Sequence, residues 1–172
     1  MGPGAPLFLI GFMGAGKSTV GRVLASRWGW SFADTDALVE EAEGRSIEAI
    51  FAESGEGRFR EAEWAALRSL QGRTQLVAAT GGGLFLGKTQ RAFVRAQGVS
   101  CWLDAPLGVV TQRVRELDTR PLWPSGDALT RRAFFERRRA AYALADIRVD
   151  AAAGDVDAVA TAAAEAYRAF WR

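Results

Sequence analysis

The chain has 172 residues, 49% apolar and 24% charged, a length and balance suited to one globular domain with a proper core. A net charge of only +2 does not mark it as a nucleic-acid binder, and the absence of histidine excludes imidazole acid–base catalysis and imidazole metal ligands. A single cysteine, Cys101, excludes an intramolecular disulfide and zinc-finger spacing, and no apolar run approaches the roughly 18 residues of a membrane span. The N-terminus lacks a basic segment followed by a long apolar one, so the expected location is cytoplasmic, with neither membrane nor nucleic acid as partner.

The first predicted strand is Leu7–Ile10. It runs directly into Gly11-Phe12-Met13-Gly14-Ala15-Gly16-Lys17-Ser18-Thr19, which spells G-x-x-x-x-G-K-S, and a helical pattern over Lys17–Trp28 follows. Strand, glycine-rich loop and helix stand in the order a phosphate-binding loop requires. Glycines let successive backbone N–H groups face a phosphate, and the helix N-terminus adds its positive dipole end. Gly14, Ala15, Gly16, Lys17, Ser18 and Thr19 are therefore predicted to hold a nucleoside triphosphate. Lys17 supplies a point charge to the outer phosphates, and the Ser18 hydroxyl is placed to ligate Mg²⁺.

A second strand, Ser31–Ala33, ends at Asp34-Thr35-Asp36. In extended geometry the two carboxylates at i and i+2 point the same way. One suits holding Mg²⁺ through water, the other accepting from an acceptor hydroxyl, and either one also suits capping the next helix. Helical patterns follow over Thr35–Glu43, Ser46–Glu53 and Gly57–Leu70. The third strand, Gln75–Ala79, leads to Gly81-Gly82-Gly83, where close backbone approach to a ligand competes with a merely flexible turn. A helix over Thr89–Ala96 precedes a fourth strand, Val99–Leu103, in which Cys101 is expected to be a buried core thiol.

Beyond a helix over Leu107–Glu116, the segment Leu117–Leu129 has loop chemistry (Asp118, Pro121, Pro124, Ser125, Gly126, Asp127) flanked by basic residues, and is expected to be a mobile lid. A helix over Thr130–Leu144, a strand at Ile147–Val149 and an amphipathic helix over Val156–Phe170 complete the chain. The last is expected to turn Val156, Val159, Ala163, Tyr167 and Phe170 inward. Strands alternating with helices predict an α/β fold with a parallel sheet, ligands sitting beyond the carboxyl ends of its strands. No repeat or second domain is visible, so residues 1–172 are read as one domain. Arg60, Arg120 and the run Arg137-Arg138-Arg139 are each better explained individually by a solvated surface than by a site, although collectively a transferring phosphoryl group calls for one or two of them.

Taken together, these residues resemble the shikimate kinases, from about Leu7 to Val149. Gly11 to Arg22 is similar to that family's phosphate loop, and Phe32-Ala33-Asp34-Thr35-Asp36 to its aspartate pair. Gly44–Ile50-Phe51 and Gly55-Glu56 to Glu63 resemble its substrate-binding helices, Ala79–Gly83 its triple glycine, and Arg120-Pro121-Leu122 its lid arginine. Arg138 stands four residues before Tyr142, as the family's second substrate arginine does. The resemblance implies a single-domain P-loop kinase with five parallel strands in the order 2-3-1-4-5, related to nucleoside monophosphate kinases and expected to work as a monomer. It implies transfer of the ATP γ-phosphate to the 3-hydroxyl of shikimate, in aromatic amino-acid biosynthesis. Asp36 would bind the shikimate hydroxyls and serve as base. Arg60 and Arg138 would hold its carboxylate, and Gly82 and Gly83 would meet it through backbone. Arg120 would contact ATP phosphates, Arg113 would stack near adenine, and Ser18 with Asp34 would organise Mg²⁺. Lys17, Asp36 and Arg120 would be catalytic.

Three features depart from the family pattern. Ala140 stands where it usually has Pro, Trp123 replaces a smaller apolar residue in the lid, and the three consecutive arginines leave the second clamp open between Arg138 and Arg139. A kinase of another small polyol acid such as gluconate, and a nucleotide-binding family member of reduced activity, are the alternatives.

Overall fold

A computed structural model of the chain describes residues 2–115, 127–152 and 155–172, and for residues 114 and 115 the backbone alone. The elements run β1 (Leu7–Ile10), α1 (Lys17–Trp28), β2 (Ser31–Asp34), α2 (Thr35–Glu43), α3 (Ile47–Arg68), β3 (Leu76–Ala79), a 3₁₀ turn (Leu84–Leu86), α4 (Lys88–Gln97), β4 (Val99–Asp104), α5 (Leu107–Arg115), α6 (Ala128–Tyr142), β5 (Ile147–Asp150) and α7 (Val156–Phe170). The five strands form one sheet in the order β2-β3-β1-β4-β5, every pairing parallel. This is the expected topology.

Strands β1 and β3 are uniformly apolar because both faces are covered. Leu7, Phe8, Leu9 and Ile10 are fully buried. Leu9 pairs with Cys101 and Ile10 with Trp102, so the two rows face opposite sides of the sheet. On the Leu9 side α1 lies so close that a Cβ at Gly21 would come within 3.2 Å of Leu9 Cδ1 and 2.6 Å of Phe32 Cε2. On the other side Trp102 meets Tyr142 of α6, ring centroids 6.2 Å apart. Cys101 is fully buried as expected, and burial pushes its thiol pKa up to about 12. A smaller cluster of Val39, Ile50, Phe59, Ala62 and Ala66 joins α2 to α3, giving that pair a core of its own beside the sheet.

Several boundaries differ from expectation. The two helices expected at Ser46–Glu53 and Gly57–Leu70 are present within α3, whose helical backbone is broken at Gly55 (φ 76°, ψ 178°), a conformation that only glycine adopts readily, although the outer bounds are Ile47 and Arg68. The 3₁₀ turn at Leu84–Leu86 was not expected, being too short to leave a periodicity. Helix α6 begins at Ala128, inside the stretch expected to be lid, because Asp127 caps it by accepting from the Thr130 N–H at 2.8 Å. Lid residues 117–126, with Arg120 and Trp123, lie outside the described residues. In α7 the buried stripe is Val159, Ala160, Ala163, Ala164 and Tyr167. Val156 and Phe170, expected inward, lie at the helix ends beyond that stripe and are 38% and 46% exposed. Among the described residues no helix is long and apolar enough to cross a membrane.

Candidate active site

The phosphate loop begins where β1 ends. A Cβ at Gly11 would stand 2.7 Å from the Leu103 carbonyl oxygen, so the chain can leave the sheet there only as glycine. Gly16, at φ 88°, is the N-cap of α1 and offers no side-chain cap. The first-turn N–H groups of α1 are thereby left open to an anion. Lys17 is buried, and its Nζ donates to the carbonyls of Gly11 at 3.0 Å and Phe12 at 2.9 Å, which brings the ammonium over the loop. Arg113 of α5 reaches the same loop, Nη1 donating to the Gly14 carbonyl at 3.1 Å. These residues open onto a cleft of about 460 Å³ that also takes in Asp34, Asp36, Thr80 and Gly82, and, on the Arg113 side, Ala151, Asp155 and Val159.

The aspartate pair departs from the expected geometry. Asp34 is the last residue of β2 and Asp36 already lies in the first turn of α2, so the two are not on one extended strand face. Asp34 both caps and projects. Its Oδ1 accepts from the Asp36 N–H at 3.0 Å, while its Oδ2 accepts from the Ser18 hydroxyl at 2.5 Å. Between them Thr35, fully buried, accepts from the Gly81 N–H through Oγ1 at 2.8 Å, tying the triple glycine to the start of α2. Among the described residues no three carboxylate, histidine or cysteine side chains gather as a metal cage. The Ser18–Asp34 pair is still a fitting donor set for Mg²⁺, a hard cation that takes one or two protein oxygens and completes its shell with phosphates and water.

The triple glycine is the meeting point of the remaining groups. A Cβ at Gly81 would collide with Glu63 Oε1 and stand 2.7 Å from Asp36 Oδ1. One at Gly82 would lie 3.7 Å from Arg138 Nη1, and one at Gly83 would collide with the Arg60 guanidinium. Side chains crowd Gly81 and Gly83, whereas a Cβ at Gly82 would make only ordinary contacts. Asp36, Arg60 and Arg138, expected together from the sequence, are brought together along Gly81, Gly82 and Gly83.

Glu63 was given no role from sequence. It is buried, and its Oε2 accepts from Arg60 Nη1 at 2.8 Å. Burial raises its pKa above the usual carboxylate value, only partly offset by Arg60, and Asp36 raises it further. Burial disfavours the charge on Arg60, but Glu63 and Glu56 outweigh it and hold the pKa above its ordinary value. Desolvation lowers the pKa of Arg138, which remains a cation since a guanidinium is not deprotonated in proteins.

The choice among the three arginines follows from their rotation about α6. Arg137 is exposed and stacks on Phe134 at 5.9 Å. Arg138 is 4% exposed, its guanidinium 4.1 Å from the Phe134 ring centroid and 5.6 Å from that of Phe12. Arg139 turns away to Asp104 at the end of β4, donating to Oδ2 at 2.9 Å, an oxygen it shares with Arg148. Arg138 is the one that faces the triple glycine.

A family model described as shikimate kinase matches residues 13–168. A shikimate kinase from Geobacter sulfurreducens is 45% identical over 161 residues, covering 92% of this chain and 88% of that protein. The solved structure of shikimate kinase from Acinetobacter baumannii in complex with shikimate superposes with a TM-score of 0.89 at 32% identity, covering 95% of this chain and 92% of that one. A gluconokinase from Sinorhizobium meliloti, at a TM-score of 0.65 and 17% identity, shares the fold alone.

Proposed function

The chain belongs to the shikimate kinase family, and on that premise we propose that it transfers the γ-phosphoryl group of ATP to the 3-hydroxyl of shikimate, giving shikimate 3-phosphate and ADP. The observation that carries this assignment is the gathering of one carboxylate and two guanidinia, Asp36, Arg60 and Arg138, along Gly81, Gly82 and Gly83, with Asp36 and Gly82 also lining the cleft of the phosphate loop. An anionic polyol fits that set. Arg60 and Arg138 clamp its carboxylate, Arg138 from a rigid aromatic seat, and a guanidinium matches a carboxylate two bonds at a time. Gly82 and Gly83 admit the ring close to backbone.

At the other end, the α1 N-terminus and Gly14–Thr19 take the phosphates, and Arg113 lies against the adenine. Ser18, and Asp34 through water, would hold Mg²⁺, which would supply charge neutralisation at the phosphates. The acceptor oxygen attacks the γ-phosphorus, the bond from that phosphorus to the bridging oxygen breaks, and ADP leaves with the bond pair. Asp36 orients the attacking hydroxyl and receives its proton. A weak base suffices, since phosphoryl transfer asks chiefly for positioning and charge stabilisation. Lys17 follows the charge on the transferring group. Arg120, within the proposed lid of residues 117–126, is assigned the phosphates as well, and closure of that lid would exclude competing water. We take residues 1–172 as one P-loop kinase domain. All these groups come from one chain, so a monomer is sufficient, and a cytoplasmic location is proposed with it.

The test is coupled ADP release with shikimate, gluconate and AMP as acceptors, with and without Mg²⁺. Turnover is expected to require shikimate and Mg²⁺. Faster release with gluconate or AMP under matched conditions would overturn the acceptor assignment.

A further inference from the structure

Helix α6 carries Arg138 and, one turn later, Tyr142, on the same helix face. Tyr142 is almost fully buried. Its hydroxyl donates to the Gly82 carbonyl, and the phenol is a neighbour that favours the Arg138 cation against the cost of burial. One hydroxyl thus holds the middle of the triple glycine beside the buried guanidinium. Arg138 Nε and Nη1, both buried, have no hydrogen-bond partner among the described residues, and a Cβ at Gly82 would lie 3.7 Å from that Nη1. Those N–H groups therefore remain available beside the turn where the acceptor carboxylate is assigned.

We propose that Tyr142 is the positioning residue of the acceptor clamp: its hydroxyl sets the distance and orientation between Arg138 and the Gly82 backbone. This rests on the acceptor assignment made above. Three observations support it beyond the bond itself. Phe12 and Phe134 fix the guanidinium from its ring side but supply no directional bond, so in-plane orientation needs a polar partner. Burial pushes the Tyr142 pKa up to about 12, so the group stays a neutral donor to Gly82 throughout the working range. The neighbouring Arg139 is engaged elsewhere, with Asp104, and so does not compete for the phenol.

The experiment compares wild type with Tyr142→Phe, which keeps the ring and deletes the hydroxyl. Initial rates over shikimate and over MgATP should separate. The KM for shikimate should rise about tenfold, the scale of a lost hydrogen bond to a charged group, while the KM for ATP stays within about twofold. A merely structural role would move both KM values together with the melting temperature, and that result would overturn the proposal. A second readout is independent of the acceptor's identity. In the ¹⁵N spectrum, the Arg138 Nε–H signal, identified by its loss in Arg138→Lys, should be sharp in wild type and broadened or shifted in Tyr142→Phe. An unchanged signal refutes the positioning role even if shikimate proves not to be the acceptor. Failure of wild type to turn over shikimate, alongside a changed signal, refutes the acceptor assignment and leaves the positioning role supported.

Discussion

Gly81→Ala tests whether the triple glycine is a steric requirement of the acceptor pocket. The backbone at Gly81 is not in the left-handed region, so alanine meets no conformational penalty there. The obstacle is contact. The new methyl would fall 2.7 Å from Asp36 Oδ1, about 0.7 Å short of an ordinary 3.4 Å contact, and nearer still to Glu63 Oε1. Glu63 cannot swing into solvent, being 4% exposed and bonded to Arg60. Relief must therefore come from moving both carboxylates or the turn by a good fraction of an ångström. Overpacking of this kind costs about 1–3 kcal/mol, and near 170 residues each kcal/mol lowers the melting temperature by about 2–4 °C. Displacing reacting groups by close to an ångström costs on the order of 10²-fold in rate. The expected result is a loss of about 10²-fold in kcat/KM for shikimate in the coupled assay, a lower melting temperature, and little change in nucleotide affinity measured by calorimetry. Gly57→Ala is the matched control. Gly57 lies in α3, where a Cβ would meet nothing within 4 Å, so the same substitution should stabilise by about 0.5–1 kcal/mol and leave kinetics alone. Acceptor kinetics within twofold of wild type in Gly81→Ala would refute the steric argument.

Two further outcomes separate the carboxylates. Asp36→Asn should damage shikimate binding and turnover while leaving ATP binding nearly unchanged, whereas Asp34→Asn should shift the Mg²⁺ dependence; identical defects in titrations of the two variants would dissolve that division of labour. Glu63→Gln should change how stability depends on pH. The pKa of Glu63 is raised on folding, so the folded chain binds its proton more tightly and the contribution of this group falls as pH rises from the ordinary 4.5 through its own value. The melting temperature of wild type relative to Glu63→Gln should therefore decline from below that pH towards neutrality, and a rising difference would contradict the assignment.

What was legible in the chain divides by range. The phosphate loop could be read because strand, glycines and helix are contiguous, and the sheet order came with the resemblance. The kink at Gly55 was placed by the gap between two helical patterns. Asp34 and Asp36 were misjudged as an extended pair although α2 starts at Thr35 as expected, because that start, capped by the Asp34 side chain, already puts Asp36 in the first helical turn. Arg138 could not be separated from Arg139 by composition. Only the 100° step per residue around α6, with Asp104 waiting for one of them, distinguishes them. Thr35 and Glu63 were missed because their partners at the Gly81 turn are distant in sequence. A signal for Glu63 existed, since it continues the spacing of Phe59, Ala62 and Ala66, where a charged side chain in an apolar stripe calls for a partner.

The buried Cys101 has a practical consequence. With a thiol pKa of about 12 and no solvent access, its thiolate fraction at neutral pH is on the order of 10⁻⁵, and alkylating or oxidising reagents have nothing to attack. For surface chemistry the folded protein behaves as if it had no cysteine. A cysteine placed at an exposed position such as Leu129, 76% exposed at the start of α6, would be the sole reactive thiol without any background substitution, ready for a dye or spin label that reports its local surroundings in otherwise native protein.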